Sequence, residues 1–500
     1  MASFIRSSAF STMAGIVSLV FGFASSIVVA RMLGADGTGG VAFGLWVAMT
    51  ASMLANLGIP TMLLRYMPRY DRDGNAGGGL ARLLFPPFIV PIGLTAVGIC
   101  VYAYWLNAQG GDFEHSPALW VMTAVLLLSY GIAAYGEAAA RGLNKFDETA
   151  KMAFYGCLIQ LPLIAIGGYF FGVPGAMAGH VARHFPQAVR AFFYIFKPVT
   201  PGTEITHKMM INGRNTWLSN ALGMLVWSRS EFFFLGLYFS ATEIGYYAAG
   251  LTLASLVVQL PTQMIAALVP HIGKHHDNDD LFQINRTYQR VMRWLSIFVM
   301  PICFGGAAIM SELLPLLFGP DFDNAISMAV ILVASACITA LTLVPSTIIG
   351  ARERSDFWLY ASPIMAVLSM GSFWLITPHT GGLGTAWVRA AVHSVWFLWL
   401  VIFCWRQLQV RLDLRSFGSI TLAALLCATM AFGSLQAFGG FLGLVVAVVI
   451  GALTYAVALR AFNAIPRDDV IALANNLPGA LPARLTDLAT KVLLLMVRPG

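Results

Sequence analysis

Seven basic side chains and two acids stand where the surrounding sequence is almost wholly apolar: Arg31, His180, Arg183, His184, Arg229, Arg389, His393, Glu137 and Glu231. An ionisable group inside an apolar helix is costly, so it faces a water-filled cavity or a partner. His180, Arg183 and His184 are spaced by three and four residues, which puts all three on one helical face. Arg389 and His393 are again four apart. Asn220, Trp227 and Glu231 share a face, and Arg229 points elsewhere. Arginines in such a place suit an anionic headgroup such as a pyrophosphate or an acidic sugar. Glu231, Glu137 or a histidine would bind a coupling proton or sodium ion. The competing reading is internal: Arg183, Arg229 and Arg389 pair with Glu231, Glu137 or backbone carbonyls and fix helix packing.

These residues need helices to carry them, and composition says what kind. The chain has 500 residues, 58% hydrophobic and only 11% charged. A soluble chain is about 25% charged, so the solvent for this one is lipid. Apolar stretches of roughly 20 residues, enough to cross about 30 Å of hydrocarbon, recur at 10–31, 41–63, 83–107, 118–140, 152–172, 175–196, 216–239, 243–269, 290–317, 325–349, 357–377, 383–405, 416–436 and 439–460. Their length predicts helices and excludes barrel strands. The run Phe10–Ala30 is too long for a secretory signal and reads as the first span. All six cysteines fall inside spans and form no metal or redox spacing.

The basic residues give the orientation. With the N-terminus inside, 26 of the 30 lysines and arginines lie in inner segments and Arg31 alone in an outer one. The positive-inside rule accounts for the net charge of +7 without a nucleic-acid partner. Both termini are then cytoplasmic. The charged intramembrane groups of the sixth, seventh and twelfth spans fall at a common depth, roughly 8–15 Å from the outer surface.

The first six spans resemble the next six. Gly39-x4-Gly44-Leu45 recurs as Gly245-x4-Gly250-Leu251, Phe88-Ile-Val-Pro91-Ile92 as Phe298-Val-Met-Pro301-Ile302, and Gly172-x2-Gly175 as Gly381-x2-Gly384. An even number of spans separates the copies, so they are parallel repeats, the arrangement of many transporters. The predicted fold is all-α and polytopic, about 14 transmembrane helices, with two six-helix bundles around a central cavity. The predicted organisation is one bundle over 1–214, a second over 215–408, two additional spans within 409–465, and a cytoplasmic amphipathic tail over 466–500. No P-loop, zinc-protease or nucleophile-elbow motif occurs, and the outer segments are too short to house a glycan polymerase or ligase. No cofactor is expected.

Three passages carry a family likeness: Val29-Ala-Arg31-Met-Leu-Gly34 with Gly37 and Gly39; Arg229-Ser-Glu231-Phe-Phe-Phe-Leu-Gly236 followed by Ala241-Thr-Glu243-Ile-Gly245; and Leu314-Pro-Leu-Leu-Phe-Gly319-Pro-Asp-Phe. Together they resemble the polysaccharide-flippase (Wzx-like) branch of the multidrug/oligosaccharidyl-lipid/polysaccharide exporter superfamily, over about residues 8–460. Members more often carry Asp where this chain has Glu231. The resemblance implies a non-enzymatic flippase of the bacterial cytoplasmic membrane. Its substrate would be undecaprenyl-pyrophosphate-linked oligosaccharide for O-antigen, capsule or exopolysaccharide, and its partners membrane lipids, a polymerase and a chain-length regulator. A lipid II flippase would show a dense arginine cluster at the inner mouth, and a drug/cation antiporter a more acidic cavity.

Overall fold

The computed structural model describes residues 2–71, 76–108, 117–227, 229–266, 281–352 and 354–466. All but the first residue of the predicted tail over 466–500, and most of the outer segment around 107–117, lie outside the described residues. Among those described the chain is helical without strands: α1 Ala2–Ala55, α2 Ile59–Tyr70, α3 Leu80–Ala108, α4 Pro117–Gly142, α5 Phe146–Ile195, α6 His207–Trp227, α7 Glu231–Tyr238, α8 Ala241–Ala266, α9 Leu281–Ala308, α10 Met310–Phe318, α11 Ile326–Leu341, α12 Leu343–Ala351, α13 Ser355–Gln407, α14 Leu414–Phe438 and α15 Gly440–Ala461.

Ten segments are long and apolar enough to cross a membrane. Three of them, α1, α5 and α13, contain a residue with non-helical backbone: Gly34, Gly172 and Gly381. Each of these three holds two predicted spans, and the interrupted pair α6–α7 supplies one more, so the described residues accommodate the fourteen predicted crossings. The sequence reading placed short loops between the fifth and sixth spans and between the eleventh and twelfth. The structure instead reverses direction at one glycine. Gly172 has φ 61° and ψ −138°, and Gly381 has φ 61° and ψ −152°, values that only glycine adopts readily. The halves of α5 then run antiparallel, with Gly167 and Gly175 packed carbonyl against Cα.

The outward-facing chemistry is that of a lipid-solvated protein. On α3, Leu84, Phe88, Ile92 and Ala96 recur every fourth residue and are buried, while Val90, Leu94, Val97 and Val101 are exposed. An amphipathic soluble helix would place polar residues on the second face. Here both faces are apolar, because one meets protein and the other meets acyl chains.

The chain forms two compact units: residues 1–249 with 370–382, and residues 250–369 with 383–500. In the first, a large apolar core runs through α1 to α5. The same unit contains a close crossing of α1 and α8. A Cβ built on Gly39 would land on the carbonyl oxygen of Ala241, and one on Gly245 would land on that of Ala35. These are the glycines of the matched motif, so the repeat is expressed as a reciprocal contact.

In the second unit, α14 is anchored at its start. Asp413 caps the helix by accepting from Ser416 N at 3.2 Å, and Arg293 of α9 donates to its other oxygen at 2.7 Å. Burial alone would push the Asp413 carboxyl up, but the bonds from Ser416 and Arg293 outweigh it and hold the group below the usual carboxylate range. Its folded value is thus depressed relative to the unfolded chain. The stabilisation is present above an unfolded value of about 3.9 and is lost as pH falls through the folded value. Asp413→Ala is expected to leave the largely buried Arg293 guanidinium without this carboxylate, at a cost of about 3 kcal/mol, seen as a lower denaturation midpoint near neutral pH. The difference from wild type should shrink in acid.

The repeat extends to individual contacts at an offset of 209 residues. Lys145 Nζ lies 5.4 Å from the Tyr194 ring centre, and Arg354 Cζ lies 5.4 Å from that of Phe403. Between those pairs the two copies differ. In the first, Arg190 donates to both oxygens of Glu148, at 2.5 and 2.9 Å, and the Tyr194 hydroxyl donates at 2.7 Å. In the second, the matching positions are Phe357 and Trp399, which meet edge-on with ring centres 6.0 Å apart, and Phe357 lies tilted against Phe403 at 4.4 Å. One copy solves the packing with an ion pair and the other with an aromatic cluster. Breaking a half-buried pair leaves a desolvated charge, so Glu148→Leu should destabilise by about 1–3 kcal/mol. The double variant Glu148→Phe/Arg190→Trp should recover at least half of that in a double-mutant cycle.

Candidate functional site

The hairpin of α5 builds a polar node from residues far apart in sequence. Gln160 lies on its first half and is buried. His180 and Arg183 lie on the second half, eight and eleven residues past the bend. Arg183 Nη1 donates to Gln160 Oε1 at 3.1 Å, and Gln160 Nε2 lies 3.2 Å from His180 Nδ1. The first half of α1 offers small residues beside them. A Cβ on Gly22 would sit 3.8 Å from Arg183 Nη1, and Ser18 Oγ accepts a weak bond from Cys157 Sγ at 3.8 Å. His184 meets the ring of Tyr130 on α4 edge-on, with centroids 5.1 Å apart. His180, Arg183 and His184 therefore form one basic cluster, as their spacing predicts, and none of the three is fully buried. Gln160 was not among the sequence candidates. Its signal is a lone amide between Ile159 and Leu161 in an apolar span, facing residues that only the bend brings near.

The second unit carries the matching histidine. His393 is buried on α13, with Nδ1 3.0 Å from Thr339 Oγ1 on α11. Thr339 is the residue 209 positions after Tyr130, so each histidine engages the same place on the equivalent helix. Arg389 lies half-buried one turn before His393. Ser369, Arg389 and Val392 stand at the positions of Gln160, His180 and Arg183, and the Gln–His–Arg arrangement belongs to the first copy alone.

The seventh span departs from expectation. It was read as one helix over 216–239 with Arg229 and Glu231 inside it. The structure ends α6 at Trp227 and starts α7 at Glu231. Arg229 sits in the interruption with φ 58° and an exposed side chain, so it is not a helical residue. The break places the Glu231 carboxylate in the first turn of α7, where the helix dipole favours negative charge. Glu231 is 1% exposed and accepts from the Tyr247 hydroxyl at 3.2 Å. The Trp227 side chain, read as sharing its face, lies outside the described residues.

The remaining candidates are separate. Glu137 pairs with Arg141 one turn further along α4, at 2.5 Å with both side chains about 40% exposed. Arg31 is exposed on α1, three residues before Gly34. No cluster of metal-ligating side chains occurs among the described residues, and all six cysteines are free thiols.

Comparison with known proteins bears on what such a fold is used for. A curated relative, the probable low-salt glycan biosynthesis flippase Agl15 of Haloferax volcanii, is 18% identical over 73% of this chain and 77% of its own. Among solved structures, the lipid II flippase MurJ in an inward closed conformation superposes with a TM-score of 0.66 at 15% identity, covering 90% of this chain and 97% of that one. An inward-facing multidrug resistance MATE family transporter of the MOP superfamily gives 0.62 at 14% identity, covering 79% and 97%. Identities this low speak for the fold alone, which this chain shares with those two transporters. The model of one protein family, described as polysaccharide biosynthesis protein, matches residues 28–327. With more than half of its length under that match, the chain belongs to the polysaccharide biosynthesis protein family.

Proposed function

We propose that this protein is a flippase that moves undecaprenyl-pyrophosphate-linked oligosaccharide from the inner to the outer leaflet of a bacterial cytoplasmic membrane, for O-antigen, capsule or exopolysaccharide synthesis. The observation that carries the reading is membership of the polysaccharide biosynthesis family by a chain with an exporter fold. The relative named above as a glycan biosynthesis flippase supports the substrate class. The two six-span repeats, 1–214 and 215–408, rock to give alternating access, with the spans of 409–465 as an addition. The strong inner bias of lysine and arginine supports cytoplasmic termini. Arg183, with His180 and His184 beside it, and Arg389 with His393, receive the anionic headgroup. Arg31 and Arg229 are further cationic candidates. Glu231, buried at the start of a half-helix, is the first candidate for a coupling proton or sodium ion, with Glu137 behind it. Membrane lipids surround the protein, and a polymerase and a chain-length regulator take over its product. The protein does no covalent chemistry.

Leaflet-resolved analysis of lipid-linked oligosaccharide in a deletion strain tests this. Complete repeat units should accumulate on the cytoplasmic face while surface polymer is lost. Units accumulating on the outer face would mean a polymerase or ligase step. A second reading, lipid II translocation, draws on the likeness to MurJ; accumulation of the peptidoglycan precursor would replace the first reading with it.

A further inference from the structure

The amide of Gln160 has one oxygen and two basic neighbours. A guanidinium has donors only, so the amide oxygen has to face Arg183 and the NH2 has to face His180. An NH2 group donates only. His180 Nδ1 must therefore accept, and the single proton of the neutral ring sits on Nε2. An imidazolium carries N–H at both positions and accepts at neither. A proton added at Nδ1 sets N–H against NH2, and the contact is restored only when the amide turns over. Its oxygen then faces the imidazolium, its NH2 faces Arg183, and the Arg183 bond is broken.

We infer that Gln160 is a positioning residue that couples proton uptake at His180 to the release of Arg183; this rests on the flippase reading, in which Arg183 receives the headgroup. With His180 neutral, Arg183 is held against the amide. With His180 charged, Arg183 is free to meet an anion beside a second positive charge. One proton enters, only hydrogen bonds exchange, and no other group changes its bonding. The charges acting on His180 are Arg183 and His184 on its own helix. The facing elements bring Gln160 and Cys157 from the first half of α5, Ser18 from α1 and Tyr130 from α4. No carboxylate appears among these neighbours.

The test uses the full chain in lipid nanodiscs with nitrogen-15 histidine, the His180 signals being assigned by their loss in His180→Gln. At about pH 7.5, wild-type His180 should show a bare Nδ1 and a protonated Nε2. Gln160→Glu supplies two acceptor oxygens, so it can hold Arg183 and an imidazolium together. In that variant His180 should carry both protons at a pH about one unit higher than in wild type, a tenfold change in proton affinity. Gln160→Leu should lose the preference for one tautomer. A second arm follows uptake of the lipid-linked oligosaccharide extracted from the deletion strain into everted vesicles over about pH 5.5–8. Wild type should show a pH dependence that Gln160→Glu flattens. A proton on Nδ1 of neutral wild-type His180, or a Gln160→Glu pH profile equal to wild type, overturns the inference. If the spectra are as expected but wild type moves no extract at any pH, the switch is supported and the flippase reading is what falls.

Discussion

Gly39→Leu and Gly245→Leu are each expected to abolish translocation and to lower thermal stability. Both glycines lie where α1 and α8 touch backbone to backbone, and a Cβ at either would occupy the place of a carbonyl oxygen of the other helix. A clash with a flexible side chain is relieved by a rotamer change, and a clash with a carbonyl is not. The helices must separate, and overpacking of this kind costs about 1–3 kcal/mol per site. Membrane helices associate through such small-residue crossings because apolar burial gives no advantage over lipid. Even Gly39→Ala should be harmful. Gly98→Ala is the control: nothing lies within 4 Å of its added methyl, and alanine is the better helix former by roughly 0.5–1 kcal/mol. Melting of the purified protein and surface polymer in a complemented deletion strain are the readouts. Wild-type melting and polymer in Gly39→Leu would mean that the crossing does not form in the working protein.

Glu231→Gln is expected to reduce translocation at least tenfold while leaving the fold intact. The variant keeps the side chain's shape and can still accept from Tyr247, so packing is nearly unchanged. What it removes is a carboxylate 1% exposed at the start of a half-helix. A charge at that depth costs several kcal/mol unless the site repays it. Transport assayed with opposed proton and sodium gradients would identify the ion, whose dependence should vanish in the variant. Full activity and unchanged ion dependence in Glu231→Gln would assign Glu231 a packing role.

Much of this architecture is readable from residue order because lipid simplifies the problem. An unbroken apolar run is sufficient evidence for a crossing helix, and the asymmetry of lysine and arginine fixes the count. The repeat is legible because Gly172 and Gly381 sit in matching motifs. Their tight reversals are not, since a glycine between two apolar runs fits a short loop equally well. The helix break before Glu231 is marked only by the polar run Ser228-Arg229-Ser230-Glu231, which also fits charged groups carried inside one unbroken span, and no proline or glycine stands in that run. At the polar node, spacing unites His180, Arg183 and His184 because they share one helix. Gln160 stands 20 and 23 residues away, and spacing says nothing across a hairpin. Glu148 and Arg190, 42 residues apart, likewise meet only because the hairpin of α5 brings them together.

The Glu148–Arg190 pair and its aromatic counterpart, Phe357 with Trp399, bear on which changes this protein can accept one at a time. At matching places one copy holds a charged pair and the other aromatic rings. Neither half-step is benign, because a glutamate against tryptophan or an arginine against phenylalanine strands a desolvated charge. Converting one kind of pair into the other therefore takes both substitutions together. Chimaeras with a relative should tolerate a junction between the halves, where both members of each pair travel together, and should fail when the junction falls within α5 between Glu148 and Arg190 or within α13 between Phe357 and Trp399.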